Sequence, residues 1–170
     1  ATSLLGFVLP LQSFAATYQV TQVLSGDTLR VEDQRGNFMV RLIGIDAPKG
    51  PPDDQPFSER AKTHLASMVQ NQMVEIYSYG FDDDGRMLGL VFANDRNINL
   101  EMVKAGFAEV DRGELTSSFD LGPYRDEERE AKAAKRGMWV LGNKYVSPRN
   151  WVETGDHSSG RNKIFDAEKR

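Results

Sequence analysis

Two aspartates and two arginines stand beside the turns of three short stretches: "SGDTLRV" (25–31), "RLIGIDAP" (41–48) and "DDDGRMLGLV" (82–91). Asp27 and Asp46 each sit at a strand boundary, where a carboxylate can leave the core and face a shared cleft. Two carboxylates with a backbone carbonyl and waters make a hard-cation site suited to calcium or magnesium. Arg41 and Arg86 carry planar donor forks that can grip a phosphodiester with two bonds and neutralise charge developing in a pentacoordinate transition state. Strict strand alternation puts Arg41 and Asp46 on opposite faces, so a site holding both needs a bend, for which Gly44 is the candidate. Each residue also has a plainer reading: Asp27 as a turn aspartate, Asp46 as a turn initiator before Ala47-Pro48, Arg86 as decoration of a hairpin.

The remaining composition narrows the chemistry. Cysteine is absent, which excludes a thiolate site, and the two histidines, His64 and His157, are far apart in sequence, which argues against a histidine-rich zinc site, so oxygen ligands are expected for any metal. A net charge of −4 and a pI near 5.3 supply no general attraction to phosphates, so binding to nucleic acid has to come from a local group of arginines.

The elements that must position these residues are mostly strands. "TYQVTQVL" (17–24), "TLRVED" (28–33) and "NFMVRLIGI" (37–45) alternate and are separated by turn residues, which reads as a three-stranded meander. The loop "APKGPPDDQP" (47–56) has four prolines and a glycine and leads to Ser58, a candidate cap for a helix running to Val69 with Ala61, Leu65, Met68 and Val69 on one face. "MVEIYSYGF" (73–81) and "MLGLVFA" (87–93) form a hairpin. A second helix starts near Asn97 or Asn99 and ends at Gly106, and "FAEV" (107–110) is a short closing strand. Pro123 opens a third helix that ends before Gly137, with Glu128 and Lys132 on a solvated face. The expected architecture is α+β: a five-stranded OB-fold β-barrel with three packed α-helices.

The ends of the chain read differently. "LLGFVLPLQSF" (4–14) has the length of a signal-peptide apolar region and is too short to span a bilayer, with small residues placed for cleavage before Ala16. Residues 1–15 are therefore expected to be a signal-peptide-like segment, 16–154 the folded domain and 155–170 a polar tail. An extracytoplasmic protein, secreted or periplasmic, with no stable membrane span after cleavage is the expectation.

Taken in order, Gly26-Asp27-Thr28, Arg41-Leu42 through Asp46-Ala47-Pro48, Gly85-Arg86 with "MLGLVF", "INLEMVKAGFAEV" (98–110) and "AKAAKRGMW" (131–139) resemble the staphylococcal nuclease (thermonuclease) family, as in a secreted bacterial homologue. The resemblance covers roughly residues 17 to 140. It implies an OB-fold barrel and calcium-dependent hydrolysis of DNA and RNA with little sequence preference, by a monomer; magnesium or another divalent ion is the alternative cofactor. It also implies Asp27, Asp46 and the Ala47 carbonyl as metal ligands and Arg41 and Arg86 as the catalytic, phosphate-binding arginines.

The departures bear on activity. The family pattern has a glutamate after the proline of "DAP", to orient or deprotonate the attacking water, and this chain has Lys49 there. Asp84 stands where an aromatic residue often precedes the Gly-Arg pair, and Ser25 replaces an acidic group often found two residues before Asp27. Three readings of Lys49 are open. It is a solvated loop lysine and catalysis is slower by about 100- to 10,000-fold for want of a base; or Asp53, Asp54 or Glu59 replaces the base; or the barrel is a catalytically inactive module that binds nucleic acid or protein.

Overall fold

The computed structural model describes residues 15–113 and 118–154. Strands β1 (Ala16–Val23), β2 (Thr28–Asp33) and β3 (Gly36–Leu42) form the expected meander, paired antiparallel with Val20 opposite Val31 and Thr28 opposite Arg41. Alternation decides which side chains face inward: Tyr18, Val20, Leu29, Val31, Val40 and Leu42 are all buried. Burying a side chain of the Val or Leu type fully is worth about 1.5–3 kcal/mol, so this inner face fixes the register.

At Gly44 the chain leaves the meander. Its φ of +80° lies in the left-handed region, and a Cβ there would meet Phe119 Cε1 at 2.4 Å, so glycine is required for conformation and for space. The anticipated strand 37–45 is thereby split: β3 ends at Leu42, and a short β4 (Ile45–Asp46) runs in a new direction. The far end of β3 becomes free to pair parallel with β6 (Met87–Ala93), Arg41 lying opposite Leu88. β5 (Met73–Phe81) joins β1 to β6 with antiparallel pairings, and the five strands β1, β2, β3, β5 and β6 close an OB-type barrel. β7 (Arg96–Asn97) extends the β6 edge.

The expected closing strand does not close the barrel. Its ordered part, β8 (Glu109–Val110), pairs with β4 instead, Asp46 opposite Glu109 and Ile45 opposite Val110. The bend at Gly44 accounts for this, because it moves β4 off the barrel and leaves its edge for β8.

The three expected helices form: α1 (Ser58–Val69), α2 (Ile98–Lys104) and α3 (Gly122–Ala133). Ser58 does not cap α1. The cap position is Phe57, with φ of 72° and no side-chain cap bond. Phe57 is buried with Ala131, Met138 and Trp139 in a second small core, and burial of that ring outweighs the backbone strain. Asn97 does cap α2, its side chain accepting from Leu100 N–H. Glu128 is not on a solvated face: it is buried, accepts from Val110 N–H at 2.9 Å and binds Lys132 at 2.9 Å, which fastens β8 to α3.

A 3-10 segment (Gly137–Lys144), kinked at Gly142, and a fourth helix, α4 (Pro148–Thr154), were not anticipated. Both are held by isolated anchors, Met138, Trp139 and Trp151, with no long periodic face to announce them. The signal-like segment up to residue 14 and the tail 155–170 lie outside the described residues. Among the described residues, no helix is long and apolar enough to cross a membrane.

Candidate active site

The turn before β2 carries Asp27, and close packing sets its position. A Cβ at Gly26 would lie 2.7 Å from Ala61 Cβ of α1 and 2.8 Å from Ala47 Cβ, so only glycine lets helix, loop and turn meet there. Asp27 is buried, and its Oδ1 accepts from the hydroxyls of Ser25 at 2.8 Å and Thr28 at 3.0 Å. Its Oδ2 accepts from the Ala47 amide at 3.0 Å. Ser25, which replaces an acidic group of the family pattern, therefore serves as a hydrogen-bond donor to the aspartate that follows.

The bend at Gly44 turns Asp46 toward the same place, so that bend does what strand alternation required. Asp46 is buried beside Asp27, and between the two lies the ammonium of Lys49, bonded to Asp46 Oδ1 and 3.7 Å from Asp27 Oδ2. Lys49 is thus no solvated loop residue. Its backbone is clasped by buried Gln55, whose Oε1 accepts from Lys49 N–H at 3.0 Å and whose own N–H donates to Lys49 O at 2.8 Å.

Arg41 reaches the cleft from the end of β3. Its Nη2 is 3.6 Å from Asp46 Oδ1 and 3.6 Å from Asp111 Oδ2. Four charged groups, Asp27, Asp46, Arg41 and Lys49, balance two against two, and Asp111 adds a carboxylate on the far side of Arg41. Burial pushes the Asp27 carboxyl up, but Lys49, the Ala47 amide, Arg41 and Ser25 together bring it below its ordinary value. For Asp46 burial prevails: with the nearby charge of Asp27 it outweighs Lys49 and Arg41 and holds this carboxyl above its ordinary value.

Arg86 is held differently. Its Nε donates to Asp82 Oδ2 at 2.8 Å, its Nη2 to Asp84 Oδ2 at 2.8 Å, and its backbone N–H to Asp82 Oδ1 at 2.9 Å. Strand pairing sets it one residue ahead of Met87, which faces Val40 of β3, so the two arginines leave neighbouring strands at the barrel rim. Arg86 is engaged by its own acidic turn, whereas Asp27, Asp46, Arg41 and Lys49 converge.

The expected substitutes for the base lie on the loop and on the helix that follow Lys49. Glu59 is exposed on the first turn of α1, Asp54 is exposed, and Asp53 lies in a turn whose carbonyl accepts from the Trp151 indole at 2.9 Å. Besides Asp27, the carboxylates that border Asp46 are Glu109, within the expected strand 107–110, and Asp111, just beyond it. Glu109, buried, takes the hydroxyls of Tyr145 and Ser147; burial and the negative charge of Glu109 push the Tyr145 phenol upward. Together with Arg112 and Trp139 these residues line a cavity of about 400 Å³ that opens beside Asp46. The signal that could have found Asp111 was its place two residues after Glu109, opposite the "GID" stretch, where its N–H donates to Gly44 O at 2.9 Å.

Two buried carboxylates aimed at one cationic point fit a hard cation, with the Ala47 carbonyl adjacent in sequence. The cation this chain puts at that point is its own lysine. Among the described residues no cluster of three or more acidic or histidine side chains is placed to hold a metal, so Asp27 and Asp46 would need the Ala47 carbonyl and waters to complete a coordination shell.

The family described as staphylococcal nuclease homologue matches residues 39–140, more than half of the chain. A probable endonuclease of Clavispora lusitaniae is 37% identical over 124 residues, covering 67% of this chain and 53% of that protein. An uncharacterized endonuclease of Escherichia coli O157:H7 is 35% identical over 123 residues, covering 71% of this chain and 75% of that protein. A probable staphylococcal-like nuclease of Oryza sativa subsp. japonica is 33% identical over 115 residues, covering 67% of this chain and 29% of that protein. The chain spans about half the length of the fungal relative and less than a third of the plant one. The barrel, the convergent aspartates with Arg41, and these matches together establish that the chain belongs to the staphylococcal nuclease homologue family.

Proposed function

We propose that the protein is a nuclease that hydrolyses phosphodiester bonds of DNA and RNA with little sequence preference, working outside the cytoplasm as a monomer. The observation that carries this reading is the meeting of Arg41 with two buried carboxylates in one cleft of a nuclease-family barrel. Asp27, Asp46 and the Ala47 carbonyl would hold a divalent ion, calcium in the first instance and magnesium as the alternative. When bound, such an ion supplies a polarised water and charge neutralisation at the phosphate. Arg41 binds the scissile phosphate and stabilises the charge that grows on its oxygens. Arg86 joins it after exchanging Asp82 and Asp84 for phosphate oxygens, a competition that weakens substrate binding. With Lys49 in place of a glutamate, orientation of water falls to Asp111, the cleft carboxylate beside Arg41, and turnover is slow.

Incubating purified protein with single-stranded DNA and with RNA, each in calcium, magnesium or chelator, tests the reading. Slow cleavage that disappears in Arg41→Ala is the expected result. No cleavage under any condition, with Arg41→Ala indistinguishable from the parent, would overturn it. That outcome would favour a binding module, for which the specific motivation is Lys49 between the aspartates together with an Arg86 clamped by two carboxylates.

A further inference from the structure

Lys49 stands where a cation bound by Asp27 and Asp46 would stand. Its ammonium bonds Asp46 and lies 3.7 Å from Asp27 Oδ2. Neither partner is free to drift. Asp27 is fixed by Ser25, Thr28 and the Ala47 amide, and the Lys49 backbone is fixed by Gln55, whose Nε2 donates to Val146 O at 2.8 Å on the segment before α4. A buried carboxylate pair requires countercharge, because desolvated like charges otherwise repel without compensation. Here Lys49 and Arg41 provide it from the chain. A lysine side chain also differs from a bound ion in one useful respect: its long flexible stem can swing away while its backbone stays in place.

We propose that Lys49 is a tethered cation that competes with divalent ions for the position between Asp27 and Asp46, so that this protein takes an ion there only when its own ammonium leaves. The role differs from that of the missing glutamate, which would have added negative charge beside the ion. Lys49 makes the cleft electrostatically complete without metal and sets the ion concentration at which the cleft can be loaded. The inference rests on reading Asp27 and Asp46 as the cation-holding pair of the nuclease cleft, and its test measures ion binding so that an absence of cleavage does not decide it.

The full chain, its Lys49→Met and Lys49→Arg variants, and the double variant Lys49→Met/Asp46→Asn are titrated with calcium chloride by calorimetry. Their thermal unfolding is followed in EDTA and in calcium. The parent and Lys49→Arg are expected to bind weakly, with little change in Tm on adding calcium. Lys49→Met is expected to bind calcium at least tenfold more tightly, to melt below the parent in EDTA and to recover in calcium; the double variant loses the gain. Where Lys49→Met is unfolded in EDTA, its refolding on addition of calcium, read by circular dichroism, supports the proposal and its failure to refold overturns it. Equal calcium affinity in parent and Lys49→Met, or a gain that survives Asp46→Asn, also overturns it. A cleavage assay on the same samples separates this outcome from failure of the nuclease reading, since calcium competition can hold in a protein that cuts nothing.

Discussion

One nitrogen of Arg41, Nη2, stands 3.6 Å from Asp46 and 3.6 Å from Asp111, so the arginine is braced between a carboxylate of β4 and one that follows β8. Two carboxylates at equal distance orient a guanidinium without saturating it, since its fork has five donors. Arg41→Lys keeps the charge and loses the planar fork, and is expected to lower the rate of cleavage by about 100-fold. Asp111→Ala should lower it by about tenfold to 100-fold through a misplaced arginine. Single-turnover cleavage with saturating enzyme measures both. If Asp111 orients water as well, Asp111→Asn, which keeps shape and loses the carboxylate, falls as far as Asp111→Ala; if it only braces Arg41, the asparagine recovers most of the rate.

A second prediction concerns stability. Asn99 is fully buried; its Oδ1 accepts from Val91 N–H at 3.0 Å, and its Nδ2 donates to Ile43 O at 2.9 Å and to Gly89 O at 3.0 Å. One side chain thus fastens α2 to β6 and to the bend that delivers Asp46. Asn99→Ala strands the Val91 N–H and the Ile43 carbonyl, while Gly89 O keeps the Ile43 N–H, and is expected to destabilise the fold by about 3 kcal/mol in urea denaturation. Asn97→Ala, which removes the cap of the same helix, should cost about 1 kcal/mol. Similar losses for the two variants would mean that the buried network contributes little beyond a cap.

The barrel strands and three helices were legible because each writes a period into the chain: alternation in 28–33, a helical stripe at Ala61, Leu65 and Val69. Asp27, Asp46 and Arg41 were legible as chemistry because charged residues interrupt those periods beside glycines. What was not legible depends on partners distant in sequence. Asn99 looks like a helix start until Ile43 and Gly89 are placed around it, and Glu128 looks solvated until Val110 N–H arrives. Lys49 shows the limit most plainly. Its type alone allowed a loop residue, a displaced base or a lost site, and only the fold shows its ammonium between two carboxylates 22 and 3 positions earlier in the chain.

The acidic turn around Arg86 makes a pH-dependent prediction. Partial burial pushes the Asp82 carboxyl up, but the Arg86 backbone, side-chain and charge interactions outweigh it and bring Asp82 below 3.8. A carboxylate with a lowered folded pKa adds stability that is present above the unfolded value and is lost as pH falls through the folded one. The clamp is therefore intact at neutral pH and opens only in acid, leaving Arg86 unpaired there. Carbon-detected NMR titration of the Asp82 carboxyl should give a midpoint below 3.8, and Arg86→Ala should return it upward. At neutral pH, Asp84→Ala should tighten binding of a single-stranded oligonucleotide by removing one competitor for the guanidinium. No change in that affinity would mean that Arg86 does not meet the strand.

The last prediction tests how the cleft is positioned. At Gly26 an added Cβ would lie 2.7 Å from Ala61 Cβ and 2.8 Å from Ala47 Cβ, distances that side-chain rotation cannot relieve because both neighbours are methyl groups on ordered backbone. Gly26→Ala must therefore push both α1 and the loop at Ala47 away from the turn or move the turn itself, and overpacking of this kind costs about 1–3 kcal/mol. The two responses separate in function. If α1 and the loop at Ala47 yield, Asp27 keeps its bonds to Ser25 and Thr28 and the damage appears mainly as stability. If the turn moves, Asp27 leaves the position that it shares with Asp46 and Lys49, and cleavage falls by more than the loss of folded protein. Urea denaturation and single-turnover cleavage on the same preparation distinguish them. The turn is expected to move, because Ala61 is fully buried in the main core with Leu65 and Val69 on the same helix, whereas the turn opens on Leu24 and Ser25, which are only half-buried.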